Sequence, residues 1–279
     1  MEQVSVILPT YNRLSLLKRA VESVSRQSYP HWELIVVNDG STDQTRQWLE
    51  SQALFQTDQA QAIHISNQGV SRARNVGIEA ACGNWIALLD SDDEWLPEKL
   101  QRQVEYSLQH PHRPVIHGEE IWIRNGVRVN PCKHHRKYGG RIFEQCVPLC
   151  SLSPSTVMIR KDLFITEGMF KEDFPVCEDY DLWLRLCSRF EVGLIKTPIV
   201  IKYGGHRDQL SRRYKIMDYW RVKALAPFLT SPRISEKERD TVRETMKTKC
   251  KILLHGYKKH KNRSNFNEVL SLLHQAEES

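Results

Sequence analysis

Apolar positions along this chain switch between two periods, and the switches mark its elements. Val4-Ser5-Val6-Ile7-Leu8, Leu34-Ile35-Val36-Val37, Ala62-Ile63-His64-Ile65 and Trp85-Ile86-Ala87-Leu88-Leu89 are short runs bounded by turn residues, as buried strands are. Between them Leu14, Leu17, Val21 and Val24, and later Val70, Ala73, Val76 and Ala80, recur at helical spacing. Ser41 with Gln44 has the form of a capping box opening a helix through Trp48 and Leu49, and Gly83 predicts the end of the helix before the fourth strand. This rhythm predicts an α/β fold, a mainly parallel twisted sheet flanked by helices. Beyond Asp93 the pattern loosens. Pro97 suits the first turn of a helix with Leu100, Val104 and Leu108 on one face, and strands are expected near Val115 to Ile123 and Ser155 to Ile159. From about Ser211 the chain reads as a helical C-terminal extension, with Val242, Met246, Cys250, Leu253 and Tyr257 on one face.

Charge and cysteine usage narrow the picture. Residues 205–279 hold 17 Lys and Arg against 9 acids, so the excess of +6 belongs to the tail. That excess fits a solvated helical surface, or contact with an anionic membrane face or acidic partner. Nucleic acid is not expected, because aromatic residues are not interleaved with the basic runs in a recognisable module. No run approaches the roughly 18–20 apolar residues that span a bilayer, and no basic-then-apolar signal opens the sequence, so a soluble cytoplasmic protein is expected. Seven scattered cysteines fit reduced thiols. Cys146 and Cys150, with His134 and His135 upstream, lack the tight spacing of structural zinc.

Candidate chemistry gathers where strands end. Asp90-Ser91-Asp92-Asp93 follows the fourth strand directly, on the edge where open α/β sheets bind ligands. Carboxylates crowded there repel one another unless a cation lies between them, and oxygen-only ligands suit Mg²⁺ or Mn²⁺. No G-x-G-x-x-G follows the first strand and no G-x-x-x-x-G-K-[ST] occurs, which argues against a dinucleotide oxidoreductase or a P-loop NTPase. Instead the turns carry Thr10, Tyr11, Asn12 and Arg13, then Asn38, Asp39 and Gly40, then Asn67, Gln68 and Gly69. Asp39 can accept an imide N–H from a base and Tyr11 can stack on it. Arg72, Arg74 and Asn75, near a helix start, can hold a diphosphate.

These residues resemble the family 2 glycosyltransferases of the GT-A fold, over roughly residues 3 to 211. Val6-Ile7-Leu8-Pro9-Thr10-Tyr11-Asn12-Arg13 is similar to the family's opening strand and donor loop, and Val37-Asn38-Asp39-Gly40-Ser41-Thr42-Asp43 to its nucleotide-binding turn. Asn67-Gln68-Gly69-Val70-Ser71-Arg72-Ala73-Arg74-Asn75-Val76-Gly77 resembles its next signature, Asp90-Ser91-Asp92-Asp93 its D-x-D metal site, and Glu178-Asp179-Tyr180-Asp181-Leu182-Trp183 its acceptor-side E-D motif. Gly205-His206-Arg207-Asp208-Gln209-Leu210-Ser211 resembles the late His and Q-L-S loop near the donor phosphates.

The resemblance implies inverting, metal-dependent transfer of a sugar from a nucleoside diphosphate sugar, UDP by family habit, to an acceptor hydroxyl, in surface polysaccharide or glycolipid biosynthesis. By carry-over Asp179 is the base, while Asp92, with Asp93 and His206, holds the metal. Pro9 to Arg13, Asp39, Asn67, Gly69, Arg72, Arg74, Asn75, Asp90 and Ser91 line the donor. Glu178, Asp181 and Trp183 stand on the acceptor side. Residues 1–110 form the nucleotide-sugar-binding half, 111–211 the acceptor-side half and 212–279 the basic extension. The tail's charge and its apolar face suggest docking on the inner membrane leaflet beside a lipid-linked acceptor.

Other readings stand beside these. Acids at residues 178–181 also complement a helix N-terminus, whose dipole would weaken Asp179 as a base. Asp90 to Asp93 also suits a solvated turn, Arg72 and Arg74 suit a helix surface, His206 suits a loop hydrogen bond, and Trp95 and Trp183 suit the core. Alternatives for the whole chain are an inactive nucleotide-sugar-binding scaffold of the same fold and a nucleotidyltransferase. The latter usually carries a glycine-rich basic loop after the first strand, which Pro9-Thr10-Tyr11-Asn12-Arg13 does not resemble.

Overall fold

A computed structural model of the protein describes residues 2–130, 135–205, 214, 216–261 and 264–279. Strands β1 (Val4–Thr10), β2 (Trp32–Asp39), β3 (Ala60–Ile65) and β4 (Trp85–Leu88) lie parallel in the order β3-β2-β1-β4. Every residue of β1 is buried, as helices on both faces require. Val4, Val6 and Leu8 face a cluster with Leu17, Ala20, Val21 and Val24 of α1 (Leu14–Ser25). Ile7 points the other way, into a cluster with Ala73 and Ile78 of α3 (Val70–Ala80). Period-two alternation on one strand thus fixes which helix covers which face.

At β4 the sheet changes character. Its far side pairs antiparallel with β8 (Met158–Arg160), and the sheet continues through β6 (Val115–Arg124), β9 (Val192–Gly204) and β5 (Glu94–Trp95), with β7 (Val127–Val129) on β6. It is wholly parallel in the first half and mixed in the second. β9 has no counterpart among the sequence expectations, because exposed Lys196-Thr197-Pro198 interrupts its apolar pattern. Pro198 stands at register shifts against Glu119, where a missing N–H is tolerated.

Several local expectations are corrected. Helix α2 (Thr45–Ser51) begins after Gln44 without a capping box, because the Ser41 hydroxyl accepts the Asn12 N–H instead. Helix α3 ends at Ala80, ahead of Gly83; that glycine presses on β1, where a Cβ would meet the Gln3 carbonyl oxygen at 2.7 Å. Pro154–Thr156 form a 3₁₀ turn, so the strand expected from Ser155 starts only at Met158. On α4 (Lys99–Gln109) Leu108 is exposed, while Lys99, Gln103 and Ser107 are buried. Gln103 Nε2 donates to the carbonyls of Ile116 and Thr156, and Lys99 Nζ donates to Gln103 Oε1 while lying 3.9 Å from the Trp95 ring centroid. Leu100 and Val104 are buried as expected, and satisfied hydrogen bonds let a polar stripe be buried beside them.

Short helices α5 (Phe143–Cys146) and α6 (Leu163–Thr166) precede α7 (Glu178–Cys187), and three more close the chain: α8 (Met217–Leu225), α9 (Glu236–Lys259) and α10 (Phe266–Glu278). Helix α9 opens on a full capping box, Ser235 with Glu238. Val242, Met246, Cys250, Leu253 and Tyr257 are buried in one cluster with Phe143, Trp183 and Leu225. Burying each such aliphatic side chain contributes about 1.5–3 kcal/mol. This corrects the expectation of an apolar face free to meet a membrane. Among the described residues no helix is long and apolar enough to cross one.

Candidate functional site

The carboxyl ends of β1, β2 and β4 and the start of α3 border a cleft of about 780 Å³. Its three turns are tied to one another. Asn12, in the left-handed region at φ 50, accepts at Oδ1 from the N–H groups of Thr42 and Asp43. Asp39 is buried at the end of β2, and it accepts at Oδ1 from the Gln68 N–H and at Oδ2 from the Gly69 N–H and Asn67 Nδ2. A carboxylate has about four acceptor positions, so Asp39 clamps the third turn and keeps capacity for a base N–H. Tyr11 stands exposed at the rim. Thr10 is buried there, with no hydrogen-bond partner for its hydroxyl among the described residues.

Of the donor-side candidates, Pro9, Thr10, Tyr11, Asn12, Arg13, Asp39, Asn67, Gly69, Arg74, Asp90 and Ser91 line this cleft. Arg72 and Asn75 do not. Asn75 is buried, bonded both ways to the Phe170 backbone, and Arg72 pairs with Glu172 and Glu79 on the helix surface.

One carboxylate oxygen from each of Asp90, Asp92 and Asp93 lies within 4.8 Å of the others. The three are unequal. Asp90 and Asp92 line the cleft, and Asp92 pairs with Arg13 at 3.1 Å. Asp93 is buried behind them, accepting from the Ser155 hydroxyl at 2.6 Å and the Tyr203 N–H at 3.2 Å. Burial, together with Asp92 and Asp90, pushes the Asp93 carboxyl above its usual range, against the pull of Lys202. Closely set oxygen-only donors of like charge fit a divalent cation such as Mg²⁺ or Mn²⁺, with Asp90 and Asp92 toward it. His206 lies outside the described residues.

Arg74 joins the acids to α7. Its guanidinium is buried, 2.7 Å from Asp90 and 2.6 Å from Glu178. Burial opposes its charge, yet the Asp90 and Glu178 carboxylates hold its pKa above the ordinary value. Burial and neighbouring Asp179 push the Glu178 carboxyl upward, and Arg74 restrains the rise. Asp179, only half-buried, accepts the Tyr180 N–H at 2.7 Å and stands next to the Cys150 sulfur. Neither Glu178 nor Asp179 lines the cleft itself; Arg74, which does, carries the connection.

Two acceptor-side candidates lie in the interior. Asp181 is buried between Lys171 and Arg185, and Trp183 is wholly buried in the core. Trp95 is core too, donating Nε1–H to the Ser155 carbonyl. Sequence reasoning missed Ser155, Lys202, Arg19 and Tyr214. Ser155 bonds Asp93 and accepts the Asp90 N–H, Arg19 donates to the Asp92 carbonyl while lying over the Tyr203 ring, and Tyr214 lines the cleft. Only Ser153-Pro154-Ser155, a turn signal at the start of an expected strand, gave a hint.

The glycosyl transferase family 2 model matches residues 5–167. A glycosyltransferase of Bacillus subtilis assigned to teichuronic acid biosynthesis, TuaG, is 36% identical over 67% of this chain and 72% of its own length. The Escherichia coli UDP-Glc:alpha-D-GlcNAc-diphosphoundecaprenol beta-1,3-glucosyltransferase WfgD is 30% identical over 82% of this chain and 87% of its own. An uncharacterized glycosyltransferase of Rickettsia felis is 32% identical over 68% of this chain, which spans only 31% of that relative's length. Among solved structures, S. aureus TarS 1–349 in complex with UDP-GlcNAc superposes with a TM-score of 0.70 at 19% identity, covering 98% of this chain and 92% of that one. The mannosyltransferase PcManGT from Pyrobaculum calidifontis, in complex with GDP-Man and Mn²⁺, gives 0.63 at 16%, covering 99% and 86%.

Proposed function

The chain belongs to glycosyl transferase family 2, and we propose that it moves a sugar from a nucleoside diphosphate sugar to an acceptor hydroxyl, with inversion and with a divalent metal. The observation that carries this reading is the bridge through Arg74. It links Asp90, at the cleft, to Glu178, the chain neighbour of Asp179, which supports a reading with charge stabilisation near one end of this ion network and proton removal beside the other. When bound to Asp90 and Asp92, Mg²⁺ or Mn²⁺ would neutralise charge on the departing diphosphate. Asp179 takes the hydroxyl proton, Tyr11 stacks on the base, and Asp39 and the tied turns hold the nucleoside.

A UDP-sugar donor and a lipid-linked acceptor are favoured by the name of the WfgD relative, and surface polysaccharide or glycolipid synthesis by TuaG and WfgD together. In this reading residues 1–110 carry the donor, 111–211 the acceptor side, and 212–279 brace α7 and meet the membrane that holds the acceptor.

The test uses UDP with Mn²⁺ or Mg²⁺ and a panel of UDP-sugars. UDP plus metal should raise the melting temperature, and Asp92→Ala should remove the metal-dependent part. Asp179→Asn should keep donor binding while lowering kcat by roughly 10²–10⁴-fold, with the product's anomeric configuration read by NMR. No stabilisation by UDP, GDP or dTDP would sink the proposal, and unchanged turnover in Asp179→Asn would remove Asp179 from its role.

A further inference from the structure

We infer that Cys150 is a positioning residue for Asp179, with a thiol proton that turns between the Asp179 carboxylate and the Leu152 carbonyl as the charge on Asp179 changes. This inference rests on the proposed role of Asp179 as the base. The Cys150 Sγ lies 3.4 Å from Asp179 Oδ2 and 3.3 Å from the Leu152 carbonyl oxygen. A thiol has one proton, so it serves one of these acceptors at a time. While Asp179 is ionised its charged oxygen is the stronger acceptor. The Tyr180 N–H meanwhile holds Oδ1 at 2.7 Å, so the carboxylate is fixed at both oxygens.

Transfer changes this balance. The acceptor hydroxyl oxygen bonds to the anomeric carbon, the bond from that carbon to the diphosphate oxygen breaks with its electron pair leaving on the diphosphate, and the hydroxyl proton passes to Asp179. Once Asp179 is neutral, the thiol proton turns to the Leu152 carbonyl. Sulfur keeps its proton throughout, because burial and then the Asp179 charge push the Cys150 thiol well above the ordinary range.

A weak donor has a particular merit here. A strong hydrogen-bond donor to a carboxylate favours the anion and lowers its basicity. Asp179 in turn acts on its charged neighbours, supporting the charge of Arg74 and opposing that of Glu178. Cys146, Lys137, Lys202 and Cys177 also stand in the charged and titratable surroundings, and the Cys177 thiol is itself pushed up to about 12 by burial and by Asp179. S–H is thus suited to aim Asp179 without strongly favouring its anion.

Two measurements test this. In a transfer assay Cys150→Ala should lower kcat by about 10-fold with the donor KM within about twofold, and Cys150→Ser should recover part of kcat while moving the acid limb of the profile to lower pH. Wild-type kcat in Cys150→Ala, or equal losses in both variants with lowered melting temperatures, would overturn it. The second needs no turnover: the S–H stretching band of Cys150, isolated by subtracting the Raman spectrum of Cys150→Ser from that of the wild type, should shift when Asp179→Asn is introduced in both. A band unmoved by Asp179→Asn overturns the contact. Absence of any sugar transfer with the band shifting as expected would overturn the glycosyltransferase reading instead.

Discussion

Arg74 keeps its charge in a closed setting because carboxylates from two distant stretches of sequence meet there. Arg74→Met leaves Asp90 and Glu178 without their partner, and breaking a buried ion pair in this way costs about 3–5 kcal/mol, to be read by urea denaturation. Arg74→Lys should not restore it, since an ammonium cannot address both acids from one rigid fork. His117 gives the fold a dependence on pH. It is buried, with Nε2 2.8 Å from the Tyr138 carbonyl, and burial followed by Lys137 pushes its pKa down to about 4 from 6.5. Between those values the unfolded chain binds a proton that the folded one refuses. Stability is therefore complete above about pH 6.5 and falls as pH drops toward 4, by on the order of 3 kcal/mol at most. Urea midpoints across that window should flatten in His117→Gln; an unchanged slope would assign the acid sensitivity elsewhere.

At the scale of elements, Gly77 sets how closely α3 lies on β1. A Cβ there would stand 2.5 Å from Ile7 Cγ2, so Gly77→Ala must push the helix outward. Overpacking of this kind costs about 1–3 kcal/mol, and because α3 carries Arg74 the UDP-dependent thermal shift should shrink as well. The first four strands and α1 and α3 were legible, since each is a run of one period closed by a turn. The cleft was legible for the same reason: tied turns such as Asp39 with Gln68-Gly69 follow predicted strands. What escaped were contacts made across long sequence separations. Nothing in Glu178-Asp179-Tyr180-Asp181 tells the reader that Glu178 turns to Arg74 while Asp181 turns to Lys171 and Arg185. Nor does Val200-Ile201-Lys202-Tyr203 announce a strand that sets Lys202 near both Glu120 and Asp93.

Over the whole molecule, charge is sorted as well as spaced. Much of the tail's positive charge is paired, as in Arg239 with Glu236, Arg243 with Asp240 and Lys249 with Asp218. From Thr245 to Asn267 the sequence has no acid, and at the end of α9 Lys251, His255, Lys258 and Lys259 are exposed beside Ile252. With the apolar face of α9 buried, attraction to an anionic leaflet must come from these charges. Co-flotation with anionic vesicles should fall with rising salt, and replacing Lys251, Lys258 and Lys259 together by Gln should weaken it by roughly 100-fold, at about 1 kcal/mol for each charge. Indifference to vesicle charge would rule the contact out. The seam between β4 and β8 has a consequence in time. During synthesis the strand leading to Asp90 waits with one edge open until Met158–Arg160 has emerged, and β6, made earlier, pairs with β8 rather than with β4. Such distant pairing forms late. A nascent chain cut short before residue 158 would therefore lack the strand that closes this seam, and the sheet beyond β4 is completed only once that strand is made.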